Sequence, residues 1–183
     1  MINDHLPEQR PSRDDAFTER VMPFVILSID EATVRTFWNW RYQPPYDLYD
    51  VGFDQAQEDE LKEAVQFFLD PQNAYYSIVD QQGQLVAFCC FGWDAQVPGG
   101  DYRADALDVG IQMHPDMIGQ EQGVIGPLLD FAQHTFTPTT FRVTIAALNT
   151  SELRAFEQVG FRAIQTFHDS GHGRPFVVLS RQV

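Results

Sequence analysis

The stretch from Leu107 to Phe161 changes its apolar period several times, and each change limits how the chain can run. Leu107, Val109, Ile111 and Met113 alternate with Asp108, Gly110, Gln112 and His114, the period of a strand with one greasier face. Past Pro115 the glycine-bearing run Gly119-Gln120-Glu121-Gln122-Gly123-Val124-Ile125-Gly126 leads into Ile125, Leu128, Leu129, Ala132 and Phe136, which share one helical face. FRVTIAAL then reads as a second strand, and TSELRAFEQV as a second helix closed by Gly160. Two strands connected through a helix pair in parallel, so a strand-helix-strand unit forms the centre of the fold.

The flanking segments supply antiparallel partners. Phe24 to Ile29 is a compact apolar run suited to a buried strand, and Asp30 stands as the N-cap of a helix over EATVRTFWNW. Pro44 and Pro45 interrupt it, which predicts an ordered aromatic loop over RYQPPYDLYD. From Asp54 the segment DQAQEDELKEAVQFFL places Leu61, Ala64, Val65, Phe68 and Leu69 on one stripe, a second helix that Asp70-Pro71 ends. AYYSIVD and LVAFCCFGW form a hairpin through QQGQ, and FRAIQTFH and RPFVVLSRQ close the chain across DSGHG.

The order β-α-α-β-β-β-α-β-α-β-β predicts an α/β (α+β) fold, a central mixed, mostly antiparallel sheet of about six to seven strands flanked by helices. Residues 1–22 mix Pro and charged residues without a period and are expected to be a mobile or loosely docked tail, with residues 23–183 forming a single domain.

Twelve Lys+Arg against twenty-six Asp+Glu leave a formal charge of −14, which repels phosphate backbones and anionic membranes and argues against nucleic acid or a membrane as partner. The N-terminal residues are polar, and no apolar run approaches the ~18 residues of a membrane span, so a cytoplasmic protein is expected. Cys89 and Cys90 are neighbours in a strand, point to opposite faces and carry no metal-ligand spacing, so two small buried thiols are expected and no metal site.

The glycine run sits where a strand ends and a helix begins, so several amides and a helix N-terminus converge there, an arrangement suited to phosphate. Gly126-Pro127 fits an N-cap and a first-turn proline. After the next strand comes Asn149-Thr150-Ser151-Glu152-Leu153-Arg154-Ala155-Phe156-Glu157-Gln158-Val159-Gly160-Phe161. A strand ending in Asn, a short helix with an aromatic residue then Glu, and a closing Gly-Phe resembles the C-terminal motif of the GCN5-related N-acetyltransferase (GNAT) superfamily. That family's preceding loop has the form Gln/Arg-x-x-Gly-x-Gly/Ala, which Gln120-Glu121-Gln122-Gly123-Val124-Ile125 resembles except in its last position. FGWDAQVPGGDY and RYQPPYDLYD are also similar to segments of a bacterial subgroup of acetyltransferases without assigned substrates.

The resemblance implies the acyl-CoA N-acyltransferase fold and acetyl transfer from acetyl-CoA to a primary amine of a small molecule or peptide; the same fold as a non-catalytic acyl-CoA-binding or sensing domain is the alternative. It implies a homodimer as a further partner, since dimers are common in the family. Ile111, Gln112 and Met113 would pair by backbone with the pantetheine arm. Gly119, Gln120, Glu121, Gln122, Gly123 and Val124 would hold the pyrophosphate, where an acidic Glu121 weakens binding unless it points outward. Asn149 would contact the arm, cap the following helix, or both.

Phe156 stands where many members carry a tyrosine that protonates the departing thiolate, which a phenyl ring cannot do. Asp108 is the candidate general base, with an ion-paired strand carboxylate as the other reading. Trp40, Tyr42 and Tyr46, in an aromatic cluster with Trp38 and Tyr49, occupy the place of the acceptor-pocket wall. They would suit a cationic amine, and core packing explains the same residues.

Overall fold

Asp30 separates the first strand from the first helix: its side chain accepts from the amide of Thr33 at 2.7 Å, satisfying one of the donors a helix start leaves unpaired. The computed structural model describes residues 24–52 and 58–183. The expected tail over residues 1–22 and the helix start near Asp54 lie outside the described residues. In chain order the elements are β1 (Phe24–Ser28), α1 (Glu31–Trp38), a 3-10 turn at Tyr46–Tyr49, α2 (Glu58–Leu69), β2 (Tyr75–Asp80), β3 (Leu85–Phe91) and β4 (Leu107–Met113). Then come α3 (Gln122–Phe136), β5 (Thr140–Ala146), α4 (Thr150–Gln158), β6 (Arg162–His168) and β7 (Pro175–Gln182).

The seven strands form one sheet in the order β1-β2-β3-β4-β5-β7-β6. Only β4 and β5 run parallel; every other neighbouring pair is antiparallel. The mixed, mostly antiparallel sheet is therefore as expected, and the parallel pair is the one that α3 connects.

Each face of the sheet has its own apolar core. Val124, Leu128 and Leu129 of α3 and Ala155 and Phe156 of α4 pack on Ile78, Val109, Phe141 and Leu179. Val34 and Phe37 of α1 and Val65 and Phe68 of α2 pack on Phe88 from the other side. The stripe spacing on each helix produces this, since residues three and four apart share a face. Gly110 has a packing reason: a Cβ there would lie 2.8 Å from Sγ of Cys90 and 3.3 Å from Cβ of Ala95.

One helix boundary differs from the sequence reading. α3 starts at Gln122 rather than at Gly126-Pro127, so Pro127 lies inside the helix. The left-handed Gly119, at φ +90°, turns the chain early enough for the helix to begin there, and the apolar face of Val124, Ile125 and Leu128 outweighs the hydrogen bond that Pro127 forgoes.

Candidate active site where β4 and β5 part

β4 and β5 are in register only over Leu107–Phe141, Asp108–Arg142 and Val109–Val143. Beyond that, β4 continues to Met113 and β5 to Ala146 with no ladder between them. A small cavity of about 20 Å3 lies in the gap, room for about one water. Ile111, Gln112 and Met113 line it from β4, Asn149 and Glu152 from the start of α4, and Ile118 and Glu121 from the turn into α3. Tyr42 and Tyr49 close it from the aromatic loop.

That loop is strapped to β4. The Tyr42 phenol donates to the carbonyl of Met113 at 2.6 Å, and Gln112 Nε2 donates to Tyr42 Oη at 3.1 Å and to the Tyr49 carbonyl at 2.7 Å. On the far side Asn149 Nδ2 donates to Tyr49 Oη at 3.3 Å. Tyr49 therefore spans the gap from β4 to α4. Burial is the main reason that both phenols are pushed above their ordinary pKa, and for Tyr49 the Glu152 carboxylate adds to it.

The turn into α3 fits an anion only in part. Gln122 and Gly123 are exposed, and their amides have no intrahelical partner because they open the helix. Glu121 points inward instead and is 2% exposed. Its Oε1 accepts from the Gly119 amide at 2.8 Å, and the Ser151 hydroxyl donates to it at 3.2–3.3 Å. A carboxylate of the protein itself thus holds the Gly119 amide and the Ser151 hydroxyl at this turn. Val124 is fully buried in the core and offers no contact to a ligand.

Glu152 is the residue that sequence reasoning missed. It lies three positions after the N-cap Asn149, a spacing that reads as a capping box. Its backbone amide does donate to Asn149 Oδ1, at 3.4 Å. The carboxyl, however, turns into the cavity and is 8% exposed; Oε2 accepts from Asn149 Nδ2 at 2.6 Å. Loss of water, and after it the nearby Glu121 charge, push its pKa up to about 8. Asn149 is the helix cap and also a cavity wall.

Four expected site residues stand elsewhere. Asp108 is no free base: both its oxygens bind Arg142, and Gln96 Nε2 donates to Oδ2 at 2.7 Å. Phe156 is fully buried, edge-on to Phe161 in the core under α3 and α4, and full burial of such a ring stabilises by roughly 1.5–3 kcal/mol. Trp40 packs on Phe88 and Phe37 in the other core. Tyr46 stacks on Tyr49 without reaching the cavity. Apolar ring contacts decide the positions of Phe156, Trp40 and Tyr46, and the ion pair with Arg142 decides that of Asp108.

A second cavity of about 180 Å3 adjoins the first. Tyr75, Phe88, Cys90 and Asp94 line it, and it shares Tyr49, Ile111 and Gln112 with the first. The Tyr75 phenol donates to Asp94. Burial pushes the Cys90 thiol up to about 12. Among the described residues no group of three or more His, Cys, Asp or Glu could hold a metal, and no helix is long and apolar enough to cross a membrane.

No family model and no curated protein matches the sequence. Solved structures do. Spermidine N-acetyltransferase from Vibrio cholerae, in a complex with CoA and spermine, superposes with a TM-score of 0.67 at 14% identity over 87% of this chain and 95% of that one. The fold is that of the GNAT acyl-CoA N-acyltransferases. A chimera of the same Vibrio enzyme with a human counterpart gives 0.66 at 15% identity over 87% and 95%. A dodecameric structure of the Vibrio cholerae enzyme itself gives 0.61 at 14% over 87% and 94%. Where β4 parts from β5, the cavity carries two carboxylates, Glu121 and Glu152, and two phenols, Tyr42 and Tyr49.

Proposed function

We propose that the chain is an acetyl-CoA-dependent N-acetyltransferase that moves an acetyl group directly to a primary amine of a small molecule or peptide. The observation that carries this reading is the gap between β4 and β5, whose two adjoining cavities meet at Tyr49. The edge of β4 at Ile111–Met113, unpaired with β5 and engaged by the Tyr42 phenol only at the Met113 carbonyl, offers backbone groups to an extended arm as a neighbouring strand would. The exposed amides of Gln122 and Gly123 suit a pyrophosphate at the helix start. On the other side, Asp94 among Tyr75, Phe88 and Tyr49 suits a cationic amine, as does the net charge of −14. Acetyl-CoA supplies the acetyl group; the chain binds, aligns and excludes water.

A second reading, an acyl-CoA-binding domain without turnover, is favoured by one observation: Phe156 cannot donate a proton and is buried out of reach of the cavity. Two measurements decide. Calorimetric titration with acetyl-CoA should show saturable binding, and its absence would sink both readings. Amine-dependent release of free thiol, assayed over monoamines, polyamines and N-terminal peptides, should then identify the acceptor; binding without any such release leaves only the second reading.

A further inference from the structure

Phe156 leaves the reaction without an obvious proton donor, yet a second side chain of the same helix reaches the cavity. Glu152 precedes Phe156 by four residues, one helical turn, so the two lie on the same side of α4. Phe156 fills the core beneath, whereas Glu152 lines the cavity beside Ile111, Gln112 and Asn149. Its Oε2 is held by Asn149 Nδ2, and Oε1 has no hydrogen-bond partner among the described residues. Facing it are Glu121 from the turn into α3 and Tyr42 and Tyr49 from the aromatic loop; no basic side chain lines the cavity.

We propose that Glu152 is the catalytic acid of the transfer, donating the proton on Oε1 to the departing thiolate in place of the phenol that Phe156 lacks. The assignment rests on the acetyltransferase reading. In the step, the amine nitrogen forms a bond to the thioester carbonyl carbon and the carbon–sulfur bond breaks. Sulfur keeps the electron pair and takes the proton from Glu152. The carboxylate left behind recovers a proton from the nitrogen as the amide forms, so free thiol, amide and a neutral Glu152 result.

The choice of Glu152 over Tyr49 follows from their strengths. A buried carboxyl shifted to about 8 is protonated at neutral pH and nearly matches a thiol at about 8–9, the condition for efficient proton transfer. Tyr49, pushed above the ordinary phenol value, would donate uphill.

Glu152→Gln tests the assignment. Expected are a fall in kcat of about 10²–10⁴-fold with KM for acetyl-CoA within about threefold. The wild-type decline in kcat as pH rises through about 8 should vanish in the variant. Infrared spectra at pH 7 should show a protonated carboxyl stretch that Glu152→Gln lacks, a readout independent of turnover. Glu152→Asp, the fallback should the glutamine variant misfold, should keep the alkaline decline at reduced kcat. An unchanged kcat, an alkaline decline that persists in Glu152→Gln or moves only with Tyr49→Phe, or a wild type without the carboxyl band would each overturn it. A wild type that binds acetyl-CoA but releases no thiol with any amine overturns the transferase reading itself, and the assignment with it.

Discussion

Asp108 and Arg142 are register partners on the parallel pair β4 and β5, joined by two bonds, Nε to Oδ1 at 2.6 Å and Nη2 to Oδ2 at 2.7 Å. Their side chains are 3% and 4% exposed. Arg142 Nη1 also donates to the Ala104 carbonyl at 2.9 Å, and its guanidinium lies 5.0 Å from the centre of the Tyr102 ring. A bidentate pair with its remaining donors satisfied is the form in which a buried ion pair is tolerated. It sits one residue before the strands part, so it fastens the pair where the cavity begins.

Removing one partner should therefore destabilise the fold. Asp108→Ala leaves Arg142 charged and unpaired, at a cost of about 3–5 kcal/mol. Urea unfolding followed by circular dichroism measures it. A loss below about 1 kcal/mol would show that Arg142 finds water or another partner.

If the pyrophosphate sits at the start of α3 as proposed, Glu121→Gln should tighten acetyl-CoA binding by about tenfold or more, since a nearby charge is removed and the Gly119 amide and Ser151 hydroxyl are released from a strong acceptor. Calorimetry at low ionic strength gives the comparison, and the gain should shrink as salt is added. Equal affinities would place the pyrophosphate away from this turn.

Glu152 makes stability depend on pH in a defined direction. Its folded pKa, about 8, lies above the ordinary carboxyl value of about 4.3, so the folded state binds more protons than the unfolded one across that window. Its contribution is fully present below about 4.3 and is lost as pH rises through about 8. Glu152→Gln, which cannot ionise, should be more stable than wild type at pH 9, with the advantage closing towards pH 4. Parallel urea curves at the two pH values suffice; an advantage that does not change with pH would mean that the carboxyl ionises in both states alike.

Cys89 and Cys90 should be inert in the native protein. Both are buried, and burial pushes both thiols up, Cys90 to about 12. At pH 8 the thiolate fraction of Cys90 is then roughly 10³-fold below that of an exposed cysteine. Neither should react with a disulfide reagent until denaturant is added. Fast native labelling of Cys90 would reveal that the cavity holding Asp94 opens readily.

Local patterns were legible because their causes are local. The period of two over Leu107–Met113, the stripe over Leu61–Phe68 and the Asp30 cap depend on residues within a turn or a strand of each other. They predicted the order of the eleven strands and helices, and the one parallel pair, among the described residues. The motif that ends at Phe161 pointed to Gln112 and Asn149, which the fold brings to the gap beside β4. The boundary at Gly126-Pro127 failed because the apolar face of α3 begins earlier than its punctuation suggests.

The chemistry of the site was decided by residues far apart in the chain. Asp108 and Arg142 meet from 34 positions apart, and Tyr49 and Asn149 from 100. No local pattern states whether a carboxylate will find a guanidinium or lose its water. The sequence by itself determined the elements and their order, because their causes are local. Only the tertiary structure decided which carboxyl is neutralised by a partner, which by a proton, and which turns inward at the start of α3, because burial and neighbouring charge set those states and both belong to the folded chain.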